Sequence, residues 1–304
     1  MKETDTKNKL FIIGNGFDVA HKMPTKFNLD FKKVAEKYEY QNFWEIYQTK
    51  DADIWADFEN LLGYPDFNSL EEIFTGYEPN YLSDRESDRD CIITQVDING
   101  KLKDALYEFV NNAEVYLKNI HKLELITKII DVNGYYINFN YTHTLEKIYE
   151  IPKYRVLHIH GEAGKDNLKL GYVENNFNPE KYVYDPRMKG KGPFVDIQIE
   201  DYIKSIEDYY TRTAYEELYK KCKSFSKEIN IKELEEFLNS NQCNINEIVV
   251  YGHSCAIDFD YFDYLNSKYD NSSWTFYVYE DGQENNIKRL VEEYRISNYR
   301  LIRL

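Results

Sequence analysis

Six short runs of strand-forming residues, spread along the chain and each closing on or near a glycine or polar residue, constrain this sequence more than any other feature. They are LFIIG (10–14), YYINFN (135–140), RVLHIHG (155–161), EIVVYGHS (247–254), WTFYVYE (274–280) and YRLIRL (299–304). Helical patterns follow several of them, the rhythm of a parallel α/β sheet. Runs such as Phe11-Ile12-Ile13 and Ile248-Val249-Val250 are apolar without alternation. Strands of that kind are buried on both faces, so helices are expected on both sides of the sheet. The expected fold class is α/β, a Rossmann-like parallel sheet with helical insertions.

Longer stretches between the strands read helical. Leu106, Phe109, Val110, Ala113, Leu117 and Ile120 recur close to a 3.6-residue spacing within Leu102–Leu125. A second stretch runs from Asp201 to Ile229 and a third from Phe31 to Gly63. Because the core strands extend from residue 10 to residue 304, these helices read as insertions in one domain, 1–304, with 31–125 and 176–230 mainly helical. Prolines, Asn, Asp and Gly concentrate in 64–101 and 175–200, which read as loops.

Composition narrows the function classes. The 304 residues carry 38 Lys+Arg against 53 Asp+Glu, a formal net charge of -15. A broad electrostatic grip on nucleic acid or an anionic membrane is disfavoured, while a local pocket for a small anion is compatible. Cys91, Cys222, Cys243 and Cys255 form no C-x-x-C pair, so neither a zinc ribbon nor a disulfide framework is expected. The apolar run Leu10–Ile13 is too short for a signal segment or a membrane span, and a cytoplasmic location is expected.

Four polar clusters sit at the C-terminal ends of the expected strands. Gly14-Asn15-Gly16-Phe17-Asp18 follows the first run. Glycines there either let a phosphate approach a helix start or simply make a tight strand-to-helix turn. Asn140, in Phe139-Asn140-Tyr141-Thr142-His143, is able to orient a water or a ribose hydroxyl, or to cap the helix expected over Thr144–Tyr149. His158 and His160 sit two apart, suited to a metal or to a general base with support, with His158 the one more readily read as a core histidine. Gly252-His253-Ser254 precedes a helix entered by Asp258 and Asp260. Five of the six histidines, His21, His143, His158, His160 and His253, fall within or beside these clusters, and only His121 lies elsewhere. Ligands of open parallel sheets bind at this strand edge, so a shared pocket is expected.

These segments resemble the bacteriophage abortive-infection AbiH family, whose opening G-N-G-F-D-x-A-H-x-x-P-T is similar to Gly14–Thr25 and takes in His21. The resemblance extends to Trp55–Glu59, Phe139–Glu146, His158–Gly161, and Gly252–Ser254 with Asp258. The order of motifs also resembles the sirtuin-like superfamily of NAD-consuming Rossmann-type proteins. That resemblance implies His160 as general base and Asn140 as the residue positioning the nicotinamide ribose or a water. It also marks three departures: Asp18 stands for a serine, Thr142 for an aspartate, and no four-cysteine zinc module is present.

The resemblance implies an antiphage protein that binds NAD or a related adenine nucleotide and hydrolyses it, with no metal expected. In this reading Gly14, Asn15, Gly16, Phe17 and Thr25 on one side, and Gly252, His253 and Ser254 on the other, hold the nucleotide. Asp18 or His21 assists, Asp258 belongs to the same pocket, and Glu280 meets a ribose diol. One alternative is a non-catalytic module that senses a nucleotide and engages another defence protein or a phage trigger. A third is a metal-dependent hydrolase with His158, His160, His253 and Asp258 as ligands.

Overall fold

The computed structural model describes residues 8–38, 58–62, 87, 98–172, 195–279 and 281–304. They fall into two compact units. The first comprises Met1–Lys26, Tyr107–Lys169 and Glu228–Leu304, and the second Phe27–Leu106 and Leu170–Lys227.

All six runs form strands of one sheet in the first unit: β1 (Asn8–Ile13), β2 (Tyr135–Asn138), β3 (Val156–His158), β4 (Ile245–Tyr251), β5 (Ser273–Val278) and β6 (Tyr299–Arg303). Every pairing is parallel and the order is β3-β2-β1-β4-β5-β6. Helices α1 (Gly16–Ala20), α2 (Ile98–Tyr116, from Tyr107 onward in this unit), α3 (Glu124–Ile129), α4 (Thr144–Ile148), α5 (Ile231–Ser240), α6 (Phe259–Lys268) and α7 (Asp281–Glu293) accompany it.

Strand alternation divides the core between the two faces. Leu10, Ile12, Ile137, Ile248, Val250, Trp274 and Phe276 pack with Leu234 and Leu238 of α5, Phe262 and Leu265 of α6, and Ile287 and Leu290 of α7. Phe11, Ile13, Tyr136, Val249 and Tyr251 pack with Phe17 of α1, Ile126 of α3 and Leu145 of α4. Both faces of β1 and β4 are therefore covered, as their unbroken apolar runs require. Phe11 and Tyr136, paired in register, stack with ring centroids 4.8 Å apart.

In the second unit, Phe27, Phe31 and Phe58 pack their rings together, and helices span Val195–Ser205 and Tyr209–Lys223. The single helix expected over Asp201–Ile229 is thus two. The break falls at Asp208, whose carboxylate accepts from the Thr211 amide at 2.9 Å and its hydroxyl at 3.0 Å, an N-cap that starts the second helix afresh. Two stretches read as loops are corrected where they are described: 98–101 opens α2, and 195–200 opens Val195–Ser205. Asn99 and Gly100 fall in a first turn, where amides lack intrahelical partners and helix-poor residues are tolerated, and Pro193 precedes the other start.

Candidate functional site

The strand order reverses between β1 and β4, and in open parallel sheets the crevice at that switch is where ligands bind. Register aligns the C-terminal edge: His158 pairs with Asn138, Asn138 with Ile13, Ile13 with Tyr251, and Tyr251 with Tyr277. Residues one to three places past this row are the polar clusters seen in the sequence. Gly14 and Gly16, Asn140, His160, and Gly252 and His253 therefore reach the same edge from four strands.

At the switch itself two turns interlock. The Gly14 amide donates to the Tyr251 carbonyl at 3.0 Å, the Gly16 amide to the Gly252 carbonyl at 2.8 Å, and the Phe17 amide to the Gly14 carbonyl at 3.0 Å. A Cβ on Gly14 would lie 2.5 Å from His253 Cα, and one on Gly16 would lie 2.7 Å from Gly252 Cα. Gly252 is left-handed, at φ +69°, and its own Cβ would meet the Phe17 amide nitrogen at 2.4 Å. Glycine here permits backbone-to-backbone contact between the two turns. Asn140 closes the seam, its Nδ2 donating to the Gly14 carbonyl at 3.2 Å. Asn15 Nδ2 donates to the Thr25 carbonyl at 2.7 Å, tying the turn to the segment after α1.

On the face of the sheet covered by α5, α6 and α7, Asp258 stands between two histidines. Its Oδ1 lies 3.4 Å from His160 Nε2 and its Oδ2 3.7 Å from His253 Nε2. The ring of Phe139 meets His160 and His253 edge to face at 5.1 and 4.7 Å. His253 Nδ1 accepts from the Cys255 amide at 3.1 Å, so its proton is on Nε2, toward Asp258. Asp258 itself is left-handed, at φ +62°, and is the residue before α6. All three side chains are buried, His160 with 6% exposure. Gln283 and Asn286 of α7 hold the turn by donating to the His253 and Ser254 carbonyls, and Ser254 is exposed.

On the other face a carboxylate is buried among hydroxyls. Asp18, 1% exposed, accepts from Thr142 Oγ1 at one oxygen and from Thr144 Oγ1 at the other, the latter at 2.7 Å. Burial raises its pKa to about 6, against the opposing pull of the two threonines. His21 has both ring nitrogens occupied: Nδ1 lies 2.7 Å from the Phe17 carbonyl and Nε2 2.7 Å from the Tyr149 hydroxyl. A carbonyl only accepts, so Nδ1 carries the proton, and burial pushes the His21 pKa down.

A third cluster was not assembled from the sequence. His143 lies between two glutamates, Nδ1 2.9 Å from Glu114 Oε1 and Nε2 2.9 Å from Glu162 Oε2. The Glu114 hydrogen bond leads the effects that raise its pKa. Burial alone would lift Glu114 and Glu162, but hydrogen bonds from His143 and Lys147 hold the first at about 2, and bonds from Lys165 and His143 hold the second at about 2. His158 Nε2 lies 2.7 Å from Glu146 Oε1, and its Nδ1 3.0 Å from the Asn140 carbonyl. Of the quartet weighed for a metal, His158 stands apart from the other three: His160 and His253 converge on Asp258, whereas His158 pairs with Glu146. Glu146 and Glu162 lie within the quoted motifs, but Glu114 comes from α2 and no local pattern signals it. Glu280 lies outside the described residues, as do 55–57.

Residues 10–279 match the family model described as bacteriophage abortive infection AbiH. No curated protein and no solved structure matches the chain.

Proposed function

The chain belongs to the bacteriophage abortive infection AbiH family, and from that premise we propose that it acts in phage defence by binding and hydrolysing NAD or a related adenine nucleotide at the β1–β4 switch. The observation that carries the reading is His160 at the strand edge with Nε2 3.4 Å from the Asp258 carboxylate. A carboxyl group beside an imidazole supports its use as a base. In this proposal a water attacks C1′ of the nicotinamide ribose and gives its proton to His160. The C–N glycosidic bond breaks, and nicotinamide leaves with the bonding electrons. Asn140 orients the water or ribose. Because the amides of Gly14, Gly16 and Phe17 are spent within the seam, phosphate contacts fall to the turn of the exposed Ser254.

A sensing module without turnover is the second reading, favoured by the same committed amides and by the closure of Asp18 on Thr142 and Thr144. Purified protein incubated with NAD separates the two. Release of nicotinamide that His160→Ala reduces by roughly 10² to 10⁴ supports hydrolysis. A thermal shift with NAD but no product supports sensing, and the absence of both signals rejects NAD as the ligand.

A further inference from the structure

We propose that His143, Glu146 and His158 form a site for one divalent cation of the zinc type, distinct from the His160–Asp258 pair and from any nucleotide chemistry there. The local sequence brings the three together. His143 immediately precedes α4, Glu146 lies one turn along it, and His158 ends β3. One ligand atom from each lies within 4.8 Å of the others. Bonds of about 2.0–2.2 Å to a tetrahedral zinc leave ligand atoms roughly 3.5 Å apart, so modest side-chain rotation brings the set to that geometry.

Two independent features point to a cation at that place. The Oε2 of Glu146 is buried and has no hydrogen-bond partner among the described residues, on a side chain only 8% exposed. A carboxylate oxygen buried without a donor is unfavourable, and a metal ion satisfies it. His158 is also oriented as metal-bound histidines are. Its Nδ1 faces the Asn140 carbonyl and so carries the proton, which directs Nε2 at Glu146.

His143 supplies the third ligand by exchanging one glutamate contact for the metal while its other nitrogen stays on Glu114 or Glu162, the carboxylate–histidine–metal arrangement. Three glutamates, Glu114, Glu146 and Glu162, face two lysines, Lys147 and Lys165, so the surroundings accept added positive charge. Two imidazoles with one carboxylate favour zinc over magnesium or calcium, and three protein ligands leave a fourth position open.

The test uses the full chain, stripped with chelator and titrated with Zn²⁺ by calorimetry and with Co²⁺ by visible absorption. The expected result is one equivalent per chain with a tetrahedral Co²⁺ spectrum. Glu146→Gln and His158→Ala should each weaken binding roughly 100-fold or more, whereas His121→Ala should leave it unchanged. Imidazole nitrogen resonances of the unaltered protein keep the test independent of whether those variants fold: Zn²⁺ should shift His143 and His158. Binding well below one equivalent, binding that leaves both histidines unshifted, or full affinity in folded Glu146→Gln overturns the site. None of these readouts involves NAD.

Discussion

The Thr142 hydroxyl donates a hydrogen bond to the buried carboxylate of Asp18, tying the segment after β2 to α1. Thr144 adds a second donor to Asp18 at 2.7 Å. The carboxyl group thus sits on α1 and both of its hydroxyl donors on the segment after β2.

Replacing Asp18 with Asn should stabilise the protein at neutral pH. The folded-state pKa of about 6 lies above the ordinary 3.8, so the stability from the protonated carboxyl is fully present below about pH 4 and is lost as pH rises through 6. Ionisation of Asp18 then opposes folding by on the order of 3 kcal/mol at neutral pH. Denaturant midpoints should show the advantage of Asp18→Asn growing by about 1–1.5 kcal/mol between pH 5 and 7.5. An advantage that stays constant with pH sinks the assignment.

Thr142→Asp alone should destabilise the fold, because it sets two carboxylates against each other in a buried place and one must stay protonated. A loss of roughly 2–3 kcal/mol is expected. The double change Asp18→Ser with Thr142→Asp restores a hydroxyl–carboxyl pair and should recover most of it. A double-mutant cycle of melting temperatures measures the coupling, and additive losses from the two changes count against a direct pairing of the two side chains.

The strands were legible because parallel strands covered on both faces carry unbroken apolar runs, and because the same runs end in the polar residues of the ligand edge. Helices α5 and α7 were less visible. Each buries a narrow stripe, Leu234 and Leu238 in one, Ile287, Leu290 and Val291 in the other, within strongly polar segments. Histidines crowding the strand ends signalled chemistry but not its partition. Strand alternation would put His158 and His160, two apart, on one face, but β3 ends at His158, and the turn beyond it sends His160 toward Asp258 while His158 faces Glu146. Glu114 reaches His143 across 29 residues of sequence, a separation that no local motif encodes.

Gly252→Ala should be among the most damaging single-methyl additions in the protein. The new Cβ would stand 2.4 Å from the Phe17 amide nitrogen and 2.7 Å from the Gly16 carbonyl carbon, both backbone atoms. The left-handed φ of +69° adds its own penalty for any side chain. Together these should remove roughly 3 kcal/mol or more and lower Tm by at least about 5 °C. Gly164→Ala is the internal comparison: it is also left-handed, at φ +81°, but has open space where its Cβ would go. It should lose only the conformational part, roughly 1–2 kcal/mol. Equal losses at the two positions would mean that the seam between the turns is not tightly packed.

Asp258→Asn separates charge from backbone at the paired histidines. Asn tolerates the left-handed conformation that Asp258 adopts at φ +62°, and it has nearly the same volume, so the turn before α6 should survive. What disappears is the carboxyl group, whose oxygens lie 3.4 Å from His160 Nε2 and 3.7 Å from His253 Nε2. The Asp258→Asn variant should therefore melt within a few degrees of the wild type, while Asp258→Ala, forced into the same φ without a polar side chain, should melt clearly lower. If the His160 base reading holds, nicotinamide release should fall by roughly 10² or more in Asp258→Asn with little change in KM, because the carboxylate orients and stabilises the protonated imidazole without touching the nucleotide. A variant that keeps full turnover would show that Asp258 serves packing at the start of α6 and not the chemistry of His160.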